Sequence, residues 1–227
     1  MTVKLSNKVS ITNRKQAWEI VGGLSDPSKM PGFSYSLPAT SCKTGSKLHK
    51  IEGSVCSKCY ARKGMYVFPN VKKALARRLK SIYRKGWVEA MAFLLLNQKT
   101  SDCFRWHDSG DLQSITHFKR IVKVCEMTPT IKHWLPTHET KIVKKAIKQG
   151  VVIPKNLVIR FSSCMINAPV RLKDVEKFNA SSTYVGEMDE KRKKIERPCT
   201  APKRKGECGN CRLCWNKAIK AVSYKLH

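Results

Sequence analysis

Cys103-Phe-Arg-Trp-His-Asp-Ser-Gly-Asp111, followed by Ser114-Ile-Thr-His-Phe-Lys-Arg-Ile-Val-Lys-Val-Cys-Glu-Met127, is one strand–loop–helix unit written out in full. The first five residues are a short apolar and aromatic run between polar neighbours, which predicts a strand. His107-Asp-Ser-Gly-Asp111 is the loop at its end. Ser114 is placed to cap a helix through Met127, with Ile115, Phe118, Ile121, Val122 and Cys125 on one face. Pro129 ends that helix, and residues 131–135 read as the next strand.

The same unit recurs in both directions. Residues 33–38 alternate as a first strand does, and the loop after them carries cysteines. Asn70 caps a long helical stretch over residues 71–97, with Gly86 as its break or kink. Residues 140–149 predict a short helix ending at Gly150, and Leu157-Val-Ile-Arg-Phe161 is the clearest strand. A further helical turn is expected over 174–178 and a strand over 183–185. Strands alternating with helices imply right-handed βαβ units and a parallel sheet. The expected fold is α/β, a partial βα-barrel over residues 1–190 with an N-terminal extension. Residues 191–227 are expected to form a charged linker and a small cysteine-rich metal module. Parallel sheets carry their sites at the C-terminal strand ends. The first cysteine loop, the 107–111 loop, the corner at His138 and the corner at Cys164 all fall there.

Composition narrows the class of partner. The 227 residues carry 45 Lys and Arg against 16 Asp and Glu, a formal net charge of +29. A field of that size attracts polyanions, nucleic acid first among them. The longest apolar run, Met91-Ala-Phe-Leu-Leu-Leu96, is too short for a membrane span, so no membrane partner is expected. The first residues lack the apolar core of a signal peptide, which points to the cytoplasm. In that reducing compartment clustered cysteines mean metal ligation rather than disulfides.

Seven of the ten cysteines form two groups. Cys42, Cys56 and Cys59 make the first, in the pattern Cys-x13-Cys-x2-Cys followed by Tyr60-Ala61. Cys199, Cys208, Cys211 and Cys214 make the second, in the pattern Cys-x8-Cys-x2-Cys-x2-Cys. The second resembles 4Fe–4S ligand spacing, with four-thiolate zinc as the alternative. The first supplies three thiolates, which leaves one iron of a 4Fe–4S cluster open to a small molecule. His49 is the candidate fourth ligand if that site holds zinc instead. Cross-ligation between the groups is also open. Cys103 and Cys125 fall on apolar positions and read as core thiols.

A strand, a three-cysteine loop ending Cys56-x2-Cys59-Tyr-Ala, a helix, and a second strand ending in Ser109-Gly110-Asp111 resemble the radical S-adenosylmethionine superfamily. The resemblance implies that Cys42, Cys56 and Cys59 hold a 4Fe–4S cluster whose open iron chelates S-adenosylmethionine. It also implies that Ser109, Gly110 and Asp111 contact the cofactor, Asp111 taking the acid's role toward its amino group. His107 is the candidate general acid or base. The chain departs from the superfamily in its long first cysteine spacing, in the aromatic residue after the last cysteine, and in Ser-Gly-Asp where Gly-Gly-Glu is usual. Residues 33–216 more closely resemble an uncharacterised family of phage gene products that share these loops and the C-terminal cysteine run.

Basic stretches recur at residues 72–73, 77–85, 141–148, 191–194 and 203–205. Phosphate contact is the expectation, and Tyr60, Tyr66, Trp87 and Trp215 are candidates to stack bases where they are not core. Two functions remain. One is a radical S-adenosylmethionine-like iron–sulfur enzyme acting on nucleic acid or nucleotides, served by a reductant protein. The other is a non-enzymatic nucleic-acid-binding protein with structural or redox-sensing iron–sulfur or zinc sites.

Overall fold

The computed structural model describes residues 9–98, 101–171 and 176–226. Seven strands form one parallel sheet: β1 (Ser34–Tyr35), β2 (Cys103–Trp106), β3 (Lys132–Thr137), β4 (Leu157–Ser162), β5 (Asn179–Tyr184), β6 (Arg197–Pro198) and β7 (Ala221–Lys225). Their spatial order is β1-β2-β3-β4-β5-β7-β6, every neighbouring pair parallel. The alternation read from the sequence is therefore a parallel α/β architecture. Residues beyond 191 belong to the same sheet. β7 pairs with β5, from Ala180 opposite Ala221 to Tyr184 opposite Lys225, and leaves β6 at the edge.

The helices are α1 (Arg14–Val21), α2 (Lys43–Leu48), α3 (Pro69–Ser81), α4 (Trp87–Leu96), α5 (Ile115–Met127), α6 (Thr140–Lys148) and α7 (Glu190–Ile195). α1 packs on α4, α4 on α5 and α5 on α6, covering one face of the sheet. The other face takes the C-terminal loop. Strand alternation makes the division: Phe104 and Trp106 of β2 join the helix-side core, while Cys103 packs with Trp134, Cys214, Trp215 and Val222.

Several boundaries differ from expectation for local reasons. Residues 71–97 form two helices, because Gly86 adopts φ 77° between them. The first begins at Pro69 with Phe68 as its N-cap, one turn position before Asn70. The strand expected at 183–185 begins at Asn179. The turn expected over 174–178 falls partly outside the described residues. The charged linker contains helix α7, capped by Asp189 and tied inward by a buried ion pair of Arg192 with Glu196 at 3.0 Å.

Buried histidines make the core acid-sensitive, His133 and His117 among them. His133 accepts from Trp106 Nε1 at its Nδ1 (3.2 Å) and meets Thr128 Oγ1 at its Nε2 (2.8 Å), so it is held neutral. Burial pushes His133 and His117 down to about 3. An unfolded chain protonates both from about 6.5 downward. Neutral burial therefore stabilises the fold fully above 6.5, and that stabilisation is lost as pH falls from there toward 3. Each contributes a slope of about 1.4 kcal/mol per pH unit in that window. Urea unfolding at pH 7.5 and pH 5 should show the loss, and His133→Gln should flatten it by about one proton's worth.

Candidate metal centre

The first cysteine group forms at the rim where β1 and β2 end. Gly110 makes that rim possible: at φ 80° it lies against Leu37, and a Cβ there would come within 2.5 Å of the Leu37 Cβ. Ser109 completes the weld, its carbonyl accepting from Leu37 N (2.8 Å) and its hydroxyl donating to Leu37 O (2.8 Å). The chain leaving Leu37 is thereby aimed at Cys42. Ser109 and Gly110 thus join the two loops through the exit of β1, and Ser109 is 3% exposed.

Cys42 is the N-cap of α2, which fills the long gap before Cys56. Cys56 lies in a 3-10 turn over Val55–Lys58, and Cys59 closes it, Cys59 N donating to Cys56 O at 3.2 Å. Gly45 keeps the space between the sulfurs clear. A Cβ at that position would stand 3.6 Å from Cys56 Sγ and 3.7 Å from Cys42 Sγ. Cys56 and Cys59 lie close enough to raise the pKa of Cys42, and Cys59 that of Cys56. Burial and then its charged neighbours push Cys42 well above the usual thiol range, and Cys56 up to about 12. A bound cation reverses both effects, because thiolates are the form that ligates metal. Among the described residues, no group of three or more His, Cys, Asp or Glu is drawn up as a ready site for one metal ion.

Two acids brace this loop. Glu139 reaches from the end of β3 to α2, accepting from Thr44 N (2.6 Å) and Thr44 Oγ1 (3.0 Å). A carboxylate at a helix N-terminus also meets the positive end of its dipole. Asp111 accepts from Leu112 N (2.7 Å), Thr137 Oγ1 (2.6 Å) and His138 N (2.8 Å), joining the ends of β2 and β3. Burial raises its pKa to about 7, against those donors. It is close enough to raise the pKa of Cys42 and Cys56. Glu139 carried no sequence signal beyond an acid after a strand end.

The other candidates distribute differently. His107, at φ 56°, turns into the core 5.3 Å from His117, and neither ring nitrogen has a partner. His49 Nδ1 meets the Cys56 carbonyl at 2.9 Å, orienting the loop. Cys164 comes next to the group. Val55 N donates to Cys164 O (2.9 Å), Ile166 N to Gly53 O (2.9 Å), and Ser54 bridges Met165. Its thiol is among the charges that raise Cys56. Asp108 gathers Ser34, Ser36 and Tyr66 hydroxyls, with Tyr60 on its carbonyl. Trp87 and Trp215 are buried, which assigns both to the core.

The second group lies beneath the opposite face of the sheet. Cys199, Cys208, Cys211 and Cys214 line one small cavity of about 20 Å³ with Ala201, Arg204 and Leu213. Arg160 of β4 places it. Its Nε donates to Cys214 O (3.0 Å), Nη1 to Ile219 O (2.9 Å) and Ala180 O (3.4 Å), and Nη2 to Leu213 O (2.8 Å) and Asn216 O (3.0 Å). Trp215 Nε1 fastens the same loop to β2 through Phe104 O at 2.9 Å. Arg105 lies between the groups, donating to Tyr60 beside Cys59 (3.3 Å) and stacking 4.5 Å over Trp134.

These features define an α/β protein with thiol groups at the C-terminal rim and on one face of a parallel sheet. The model of the gene product 88 family matches residues 2–217, and the chain belongs to that family of phage gene products. No curated protein and no solved structure matches the chain. Among the described residues no helix is long and apolar enough to cross a membrane.

Removing Arg160 strips partners from five carbonyls at once. Arg160→Leu should cost about 1–3 kcal/mol in urea unfolding, the cost of an unpaired buried acceptor at Cys214 O, since Leu213 O, Asn216 O and Ile219 O keep bonds from Asn216 N, Ile219 N and Asn179 Nδ2. It should also speed labelling of Cys199, Cys208, Cys211 and Cys214 by a thiol reagent, and Arg160→Lys should fall between.

Proposed function

We propose that the protein is an iron–sulfur protein, radical S-adenosylmethionine-like in its partial-barrel arrangement, that acts on nucleic acid or nucleotides. The observation that carries this reading is the approach of Cys42 and Cys56 at Gly45, with Cys59 beside both, at the C-terminal rim of a parallel sheet. The donor set fits a 4Fe–4S cluster with one open iron: three thiols and a space that a Cβ would fill. When bound, such a cluster with S-adenosylmethionine supplies one-electron reductive cleavage of the sulfonium and hydrogen abstraction from a substrate.

The chain's own residues have distinct parts. Cys42, Cys56 and Cys59 hold the cluster. Asp111 spends both lone-pair sites of Oδ1 on Leu112 and Thr137, and one of Oδ2 on His138. The remaining site on Oδ2 is available to the cofactor's amino group. Tyr60 closes the edge beside Cys59, its hydroxyl anchored on Asp108. His107 is left out of the acid–base work, because its ring is buried beside His117. Cys199, Cys208, Cys211 and Cys214 hold a second cluster, or zinc, on the other face. The net charge of +29 draws the nucleic acid, and a separate reductant protein supplies electrons.

Cys164 favours a second reading. A fourth thiol beside Cys56 suits a fully coordinated site, hence a non-enzymatic nucleic-acid-binding protein with structural or redox-sensing metal. Anaerobic purification with metal analysis tests both. The enzyme reading expects brown protein with about eight irons, falling to about four in Cys56→Ala/Cys59→Ala, and no loss in Cys164→Ala. Loss of those irons in Cys164→Ala favours the second reading. Colourless zinc protein ends the radical one.

A further inference from the structure

The segment after Cys59 exposes apolar side chains where a folded chain usually hides them. Met65 is 71% exposed, Phe68 51%, Tyr60 50% and Val67 40%, all within nine residues. Single exposed apolar residues are ordinary; a contiguous set marks a surface with a partner. Cations surround this one: Lys58, Lys63, Lys72 and Lys73 are all exposed. No Asp or Glu stands between Glu52 and Glu89.

Phe68 is also fixed in its backbone. It precedes Pro69, which keeps it extended at φ −64° and ψ 140°, and its carbonyl accepts the first helical bond from Lys72 N at 2.9 Å. Tyr60 is fixed through its hydroxyl on Asp108 and Arg105 while its residue stays half exposed. Rigid aromatics lose little entropy on binding. Aromatic faces beside lysines fit a ligand that shows both flat bases and phosphates. A duplex keeps its base faces stacked inside; a single strand offers them.

We propose that residues 58–73 form a binding surface for single-stranded nucleic acid, with unpaired bases stacked on Phe68 and Tyr60 and phosphates on Lys63, Lys72 and Lys73. This rests on the nucleic-acid part of the function proposed above and names its substrate class. The strand would run beside Cys59, so a nucleotide reaches the cysteine rim from this side.

Fluorescence anisotropy with a labelled oligo-dT, and with a duplex of equal length, tests it on the full chain. The expected result is tighter binding of the single strand. Phe68→Ala, an exposed position, should weaken that binding roughly five- to a hundredfold and leave duplex binding unchanged. Lys72→Ala/Lys73→Ala should instead lower the salt slope by about 1.4, roughly 0.7 per phosphate contact. Equal or tighter duplex binding, or an unaffected Phe68→Ala, overturns this surface while nucleic-acid binding stands. No binding to either overturns both. Phe68-dependent binding to phosphatidylserine vesicles without binding to oligo-dT reassigns the surface to a membrane.

Discussion

Arg160 is a full positive charge in the middle of the sheet with no Asp or Glu bonded to it among the described residues. Its partners are five main-chain carbonyls, which take every N–H of the guanidinium. A buried ion is tolerated only when its donors are all met, and here they are met by one loop and one neighbouring strand. The bonds fix residues 213–219 against β4 and β5. That loop in turn carries Cys214, seats Trp215 under Trp134 at 5.1 Å, and leads into β7. The last strand and the second cysteine group therefore depend on the same side chain.

The first group depends on a different device. Asp108, Ser109 and Asp111 of the 107–111 loop are committed to holding loops together: Ser109 to Leu37, Asp111 to Thr137 and His138, Asp108 to the hydroxyls of Ser34 and Tyr66. Glu139 adds the grip on α2. The result is a rim in which three thiols are brought together without any of them bonding a carboxylate. The cost is electrostatic: burial raises the pKa of Cys42, Cys56 and Asp111, and Asp111 raises the two thiols further, a conflict that a bound cation relieves.

Where apolar periodicity and a cap coincide, the elements are legible in the sequence. α5 runs from Ser114 to Met127 as its pattern says, with Ser114 Oγ accepting from His117 N at 3.0 Å. β4 is visible as an apolar run interrupted by Arg160, which gives no hint of where its side chain goes. α1 and α2 are short and polar, and α2 hides in what reads as a spacer between cysteines; its Gly45 argues against a helix by propensity. Its meaning is tertiary, since it delivers Cys42 and leaves room between two sulfurs. α7 looks like a charged linker because the Arg192–Glu196 pair that buries it is four residues apart within a run of lysines. The division at 190 reflects a shift in composition that the strand pairing crosses. Both cysteine groups were legible from spacing, and the Cys164 corner from its place at a strand end; Glu139 was not, because only the fold brings it to α2.

The central claim is that the rim holds a cluster with an iron open to S-adenosylmethionine. The direct test is electron paramagnetic resonance of the anaerobically purified, dithionite-reduced protein, with and without the cofactor. The account predicts a reduced-cluster signal that shifts on adding S-adenosylmethionine and a shift that disappears in Cys56→Ala/Cys59→Ala. A signal identical with and without the cofactor contradicts it.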